Sequence, residues 1–333
     1  MRSKIPAELE KGNFTGKTLA AALLLRGAPQ RELFGLARKA RSLRFGSGKV
    51  EVRSVIEVSN ICRQSCRFCN INGLPNGEKY LLDRSQVLRI VRHLYRKKRR
   101  VLLLQSGENN SKAYINLIAR CVADIKKEFS GLTVILSMGS LGFAQYKQLR
   151  RAGADRYILK FETSDPALYK RIKPGDSLAN RLKCVKFLTD LGFETGSGNM
   201  IGLPGQTIYD IVNDLRLAGK LGLTMASSSV FVPGEGSVYY DRPMGDLNLT
   251  LNYMALLRIL YPHLLIPTTS ALEKAGKNGQ FLGLMAGANT VTVHDGTPPG
   301  IKRHFPIYSL DRFTPNEKHI RRIVARAKLR FKL

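Results

Sequence analysis

Short apolar, β-branched runs alternate with amphipathic helical stretches along most of this 333-residue chain, which confines it to a small set of folds. Strand candidates fall at residues 52–58, 101–105, 133–137, 156–161, 194–200, 227–232, 264–268 and 290–293. Helical periodicity fills the intervals, as at 114–128, 144–152, 178–191, 208–221 and 251–260. Eight strands with seven or eight helices between them predict an α/β chain of the (β/α)8 TIM type. An open doubly wound sheet is the alternative, because strand order is not written in the pattern. Apolar residues make up 44% of the chain, ample for one large core. Residues 1–50 read as a helical extension packed on the outside or bottom of a barrel spanning 51–310, and 311–333 as a basic C-terminal helix. Thr314, Pro315 and Glu317 have the spacing of a cap, a first-turn proline and a capping box at its start.

Charge and termini narrow the setting. No apolar run of about 18 residues exists to span a membrane, and the charged start Met1-Arg2-Ser3-Lys4 lacks the apolar segment of a secretory signal. Five cysteines, three of them clustered, do not make a disulfide framework, so a cytoplasmic protein with reduced thiols is expected. The formal charge of +29 concentrates at residues 89–100 and 318–333, both read as helices with solvated basic faces. Such faces suit an acidic protein partner better than nucleic acid, since no aromatic-rich RNA-binding motif accompanies them. General solubility is the plainer explanation.

The chemistry centres on Cys62, Cys66 and Cys69, spaced C-x3-C-x2-C directly after the first strand. This loop offers three thiolates and withholds a fourth. A structural zinc takes four protein ligands, and the nearest downstream candidates, His93 and Cys121, are distant in sequence. A [4Fe–4S] cluster held by three cysteines instead keeps one iron open for another ligand. Zinc and unrelated thiols remain the alternatives.

Other suggestive groups fall at or just beyond strand ends, where barrel loops build active sites. Ser106 and Gly107 permit close backbone approach, and Glu108 is placed for a cationic amino group. Ser137 ends the third strand, Glu162 follows the fourth where it can bond a polar ligand, and the glycine-rich run 196–207, with Met200, follows the fifth. Each signal is weak alone: Ser-Gly-Glu is commonly a turn, Arg181 is equally a surface residue, and Cys121 and Cys184 read as helix-core residues.

The cysteine spacing, with Phe68 just before the last cysteine, resembles the radical S-adenosylmethionine (SAM) superfamily. Across residues 9–308 the order of motifs is similar to the branch holding HydE-type [FeFe]-hydrogenase maturases, biotin synthases and methylornithine synthases. Those motifs include residues 52–57, Leu104-Gln105-Ser106-Gly107-Glu108, 152–157, Glu162-Thr163, 181–184, Gly205-Gln206-Thr207, 266–269 and 286–289. The resemblance implies that Cys62, Cys66 and Cys69 hold the cluster and Phe68 packs near the adenine. Glu108 would take the SAM amino group, Glu162 the ribose and Arg181 the carboxylate, with Arg156 lining an inner cavity. It implies reductive cleavage of SAM to methionine and a 5′-deoxyadenosyl radical, with electrons from an external donor and a small molecule as substrate.

The chain also departs from the maturase pattern. Lys160-Phe161 stands where an Arg-His precedes the fourth-strand glutamate, which removes a planar fork for carboxylates. The last-strand loop begins His294-Asp295, unlike the maturase's aromatic-containing version, so both residues are candidates for proton transfer or polar binding. With only Cys121 and Cys184 left over, a self-contained sulfur donor for biotin- or lipoyl-type insertion is not expected. The expected function is a HydE-like radical SAM enzyme. A carrier-bound substrate, a methylornithine-synthase-like mutase and a non-catalytic nucleic-acid-binding cluster protein are the rivals.

Overall fold

The computed structural model describes residues 3–46, 48–72 and 78–332; the extreme ends of the two terminal stretches, 1–2 and 333, lie outside it. Its strands are β1 (Lys49–Ser59), β2 (Val101–Ser106), β3 (Thr133–Ser137), β4 (Arg156–Ile158), β5 (Glu194–Ile201), β6 (Met225–Val230), β7 (Pro267–Thr268), β8 (Thr290–Val293) and β9 (Arg330–Lys332). All named pairings are parallel, in the order β6-β5-β4-β3-β2-β1-β8-β7. Leu265 closes the ring: its N–H donates to Thr224 O at 2.9 Å, and its carbonyl accepts from Ala226 N at 3.1 Å. The fold is a (β/α)8 barrel, not an open sheet.

Side-chain alternation along the strands sorts residues between two cores. Val50, Ile56 and Val58 of β1 face the large core between the strands and their helices. Val55 packs inside the barrel with Leu103 of β2 and Ile135 of β3, plugging its lower lumen. Arg53 and Glu57 share the inward side with Val55, so β1 delivers charge into the barrel.

Helices Lys4–Glu10, Gly16–Leu23 and Gly27–Phe45 precede β1. They seat on the barrel through buried polar bonds as well as apolar contacts. Gln30 donates to Asn252 Oδ1 at 2.9 Å on helix Leu247–Leu260, and Arg41 donates to the carbonyls of Leu284 and Ala288 at 2.6 and 2.8 Å.

Most strands differ from the sequence reading by one to three residues at one or both ends, and two boundaries shift for clear local reasons. β4 ends at Ile158 rather than at residue 161, because the chain turns into a left-handed residue, Glu162, at φ +62°. The last helix starts late, at Glu317, with Asn316 as its cap accepting from His319 N at 2.9 Å. Pro315 is held back by its carbonyl, which accepts from His294 N at 3.0 Å. The helix stops at Arg326, and β9 then pairs with β1, so residues 311–333 are not a single helix.

The first basic stretch forms helix Arg84–Arg96, which buries Val87, Val91 and Leu94 against the barrel. Its follower Arg99 bonds Asp295 at 2.9 Å and Glu317 at 3.1 Å, linking the two basic segments across one side of the molecule. No helix among the described residues is long and apolar enough to cross a membrane.

Candidate active site

The cysteine loop leaves the end of β1 and is held from both sides by buried asparagine and backbone bonds. Asn60, 3% exposed, donates to the carbonyls of Glu78 and His304 at 2.6 and 2.7 Å. Asn72 reaches back to the carbonyls of Cys62 and Gln64 at 2.6 and 2.8 Å, and Cys69 N closes a turn on Cys66 O at 3.1 Å. The turn after β2 is laced to this loop: Gly107 N donates to Ser59 O at 3.0 Å and Arg63 N to Glu108 O at 2.8 Å. Gly107 has no substitute here, since a Cβ would lie 2.5 Å from Ile61 O and 2.6 Å from Cys62 Cβ. Ser106 turns its hydroxyl to Gly107 O at 2.7 Å and serves the turn itself.

The three thiols fit a cluster better than a lone ion. Glu108 N donates to Cys62 Sγ at 3.2 Å, the type of bond that stabilises a ligated sulfur. Burial pushes the Cys66 thiol up to about 11 and Cys69 up to about 12, so a cationic centre must bind to hold them as thiolates near neutral pH. Three thiols on one loop suit a cluster that takes three cysteines, whereas a structural zinc takes four protein ligands.

Beside the loop lies a buried ion network. Glu108, 4% exposed, accepts from Gln64 Nε2 at 2.5 Å and Ser140 N at 2.9 Å, with Arg63 at 2.9 Å, Lys173 at 3.3 Å and Arg181 at 3.4 Å. Burial alone would raise its carboxyl, but Lys173 and Arg181 outweigh it and hold the group below the usual carboxylate range. Arg181 is 3% exposed and is further engaged by Tyr169 Oη at 2.9 Å and Asp176 at 3.1 Å. Gly139, at φ +76°, presses its backbone against the Glu108 side chain.

Phe68 and Met200 meet in one apolar cluster with Leu168, Ile172, Leu203 and Phe231. Glu162 pairs with Lys160 at 2.9 Å, and its N–H and carbonyl bridge to β5 through Gly198 O and Met200 N, both at 2.9 Å. Next to these groups a cavity of about 260 Å³ opens inside the barrel, lined in part by Phe68, Ser137, Glu162 and Met200.

A model of the radical SAM superfamily matches residues 56–218, from β1 through the helix after β5. The [FeFe] hydrogenase maturase subunit HydE of Thermotoga maritima is 35% identical over 308 residues, covering 92% of this chain and 87% of the relative. The chain belongs to the radical SAM superfamily. A 3-methylornithine synthase of Methanosarcina acetivorans is 29% identical over 281 residues, covering 82% of this chain and 77% of the relative. The crystal structure of methylornithine synthase (PylB) superposes with a TM-score of 0.84 at 26% identity, covering 99% of this chain and 98% of that one. This radical SAM enzyme therefore uses a [4Fe–4S] cluster and SAM, and it cleaves SAM.

Two of the residues expected to be catalytic sit elsewhere in the enzyme. Arg156 points inward but from the first position of β4, at the barrel floor. Glu51 and Glu194 occupy its guanidinium at 2.8 and 2.7 Å, so it closes the lumen and does not line the cavity. Asp295 faces outward, where Arg99 takes its carboxylate, because residues 293 and 295 alternate away from the lumen. His294 does reach the cavity wall.

The sequence reading missed Arg53, Glu57, Lys173 and Arg312. Arg53 and Glu57 were legible in principle from the period-two alternation of β1. Arg312 carried no signal, since a segment without regular structure brings it to the cavity.

Proposed function

We propose that this radical SAM enzyme acts on a small, carboxylate-bearing substrate in the manner of its HydE-type relative. One observation carries the reading. Arg53 lines the cavity at 2% exposure; its Nε is bonded to Glu51 at 2.7 Å, and its buried Nη2 has no hydrogen-bond partner. Nη2 has no surface open to the cavity, so Arg53 favours an anionic group in that space through its charge at short range and not through a vacant bond. Lys160 and Arg312 add cationic charge to the same wall, each balanced by a glutamate.

When bound, the cluster and SAM supply the reductive cleavage that yields methionine and the 5′-deoxyadenosyl radical. The chain's residues then divide the work of binding. Cys62, Cys66 and Cys69 hold the cluster. Glu108 and Arg181 with Lys173, which neutralise one another in this structure, would exchange those contacts for the SAM ammonium and carboxylate; Glu162 would receive the ribose, and Phe68 and Met200 would flank the adenine. The apolar lumen of Val55, Leu103 and Ile135 keeps water from the radical's path.

Anaerobic reconstitution with iron and sulfide, then dithionite and SAM, tests this reading by scoring 5′-deoxyadenosine. Formation that rises with a carboxylate-bearing probe and is lost in Arg53→Met supports it; equal stimulation of both proteins refutes the assigned anchor. The methylornithine synthase likeness supports a second reading, rearrangement of an amino acid, which the same screen separates by its carbon-skeleton product. Sulfur insertion from an auxiliary cluster is disfavoured, as Cys121 and Cys184 are buried in helices at 0% and 3% exposure. The basic side formed by helices Arg84–Arg96 and Glu317–Arg326 favours an acidic protein partner, whose binding should weaken steeply with salt.

A further inference from the structure

Glu57, His294 and Arg312 form a chain of polar contacts on the cavity wall that binding of the cluster and SAM does not use. Glu57 is fully buried; Arg312 Nη2 donates to its Oε2 at 2.8 Å and lies 2.7 Å from its Oε1, while His294 Nδ1 stands 3.2 Å from Oε1, at ion-pair distance but without hydrogen-bond alignment. Its backbone is fixed as well: its N–H donates to Thr297 Oγ1 at 3.1 Å, and Tyr80 Oη donates to its carbonyl at 3.1 Å. His294 and Arg312 both line the cavity. With Nδ1 turned to Glu57, Nε2 is the ring nitrogen left for whatever occupies the space. The other charged and titratable groups of the cavity and its backing are Arg53 and Glu57 from β1, Lys160 and Glu162 after β4, Arg312 from the segment after residue 310, and the phenols of Tyr80 and Tyr308. Tyr308 is already engaged by Ser270 Oγ at 3.0 Å and Phe313 O at 3.3 Å.

A buried carboxylate placed between a guanidinium and an imidazole is expensive as a purely structural device, and an apolar trio would fill the space more cheaply. The arrangement instead has the parts of a base and its orienter. We propose that His294 is a catalytic proton acceptor for a hydroxyl group of the substrate, with Glu57 and Arg312 as its positioning residues. The proposal rests on the small-substrate reading above and adds to it a second polar group on the substrate, distinct from its carboxylate. The step moves one proton and no electrons. The substrate heteroatom–hydrogen bond breaks, an N–H bond forms at Nε2, and the heteroatom keeps the electron pair. Glu57 then balances the imidazolium while Arg312 holds Glu57 in place, and the proton returns by the reverse path.

The test is nitrogen NMR on the reconstituted full chain with ¹⁵N-labelled histidine, five imidazoles in all, His294 being the signal absent from His294→Gln. At pH 8 the expected form carries its proton on Nδ1. In Glu57→Gln the carboxylate charge that fixes the proton on Nδ1 is lost, so the Nε2 signal should move away from its unprotonated position toward that of mixed tautomers. Titrating L-serine should shift the Nε2 signal, while L-alanine, which lacks only the hydroxyl, should not. A proton on Nε2 in the wild type, or the same response to both amino acids, including none, overturns the proposal. Should His294→Gln fail to fold, the near-isosteric Glu57→Gln identifies the signal by the shift it induces. A wild type that forms no 5′-deoxyadenosine would sink the radical reading, whatever the NMR result.

Discussion

Contact distances at single positions decide how the cluster loop is held. Gly107 touches the cysteine loop with its backbone, so Gly107→Ala should push the loop outward and lower iron and sulfide per chain several-fold after reconstitution, with the far-UV circular dichroism unchanged. Glu108 anchors two buried cations at once. Glu108→Gln removes the charge that Lys173 and Arg181 face, and breaking a buried pair in this way costs about 3–5 kcal/mol. Urea denaturation should register that loss even in the apo chain, which separates a structural part from any SAM contact. Lys160→Arg tests the opposite change, restoring a planar fork beside Glu162.

At the scale of elements, helix Ile208–Lys220 is tied to the barrel by one buried carboxyl. Asp214 accepts from Ser164 N at 2.6 Å and from Asn199 Nδ2 at 2.8 Å, joining the turn after β4 to β5. Burial pushes this carboxyl up to about 7, against 3.8 for an ordinary aspartate, despite those two bonds. Between these values the folded chain binds a proton that the unfolded chain has released. Stability should therefore fall as pH rises from about 4 to about 7, by on the order of a few kcal/mol, and level off above. Asp214→Asn should flatten that slope, since an amide does not titrate, and a flip of Asn199 lets its otherwise unbonded Oδ1 accept from the new amide. Chemical denaturation of the apo chain at pH 5 and pH 8 reads both outcomes.

For the whole molecule, the barrel and the chemistry are separable. The barrel is closed by backbone pairing and filled by two apolar cores, and none of the three loop cysteines belongs to either. Replacing Cys62, Cys66 and Cys69 together by alanine should abolish bound iron and 5′-deoxyadenosine while leaving the urea midpoint nearly unchanged. The barrel floor behaves in the opposite way. Glu51→Gln strands Arg53 and leaves Arg156 with Glu194 alone, and should lower stability by about 3 kcal/mol or more, measured in the same denaturation series.

The order of strands and helices, the cysteine spacing and the glycine at 107 were legible in the sequence, because periodicity, ligand count and close approach are local properties. The spans of β3 and β8 matched the apolar runs to the residue, while β4 was shortened by the left-handed turn at Glu162. What the sequence left undecided was which inward residues reach the cavity. Arg156 and His294 both lie on inward positions, yet one is sealed in the floor by Glu51 and Glu194 and the other faces open space. Asp295, adjacent to His294, was sent to the outer layer by the two-residue period of the strand and by Arg99. Arg312 reached Glu57 from 255 residues away along the chain. Such meetings depend on where the closed ring of strands brings each side chain, and only the tertiary structure fixes that.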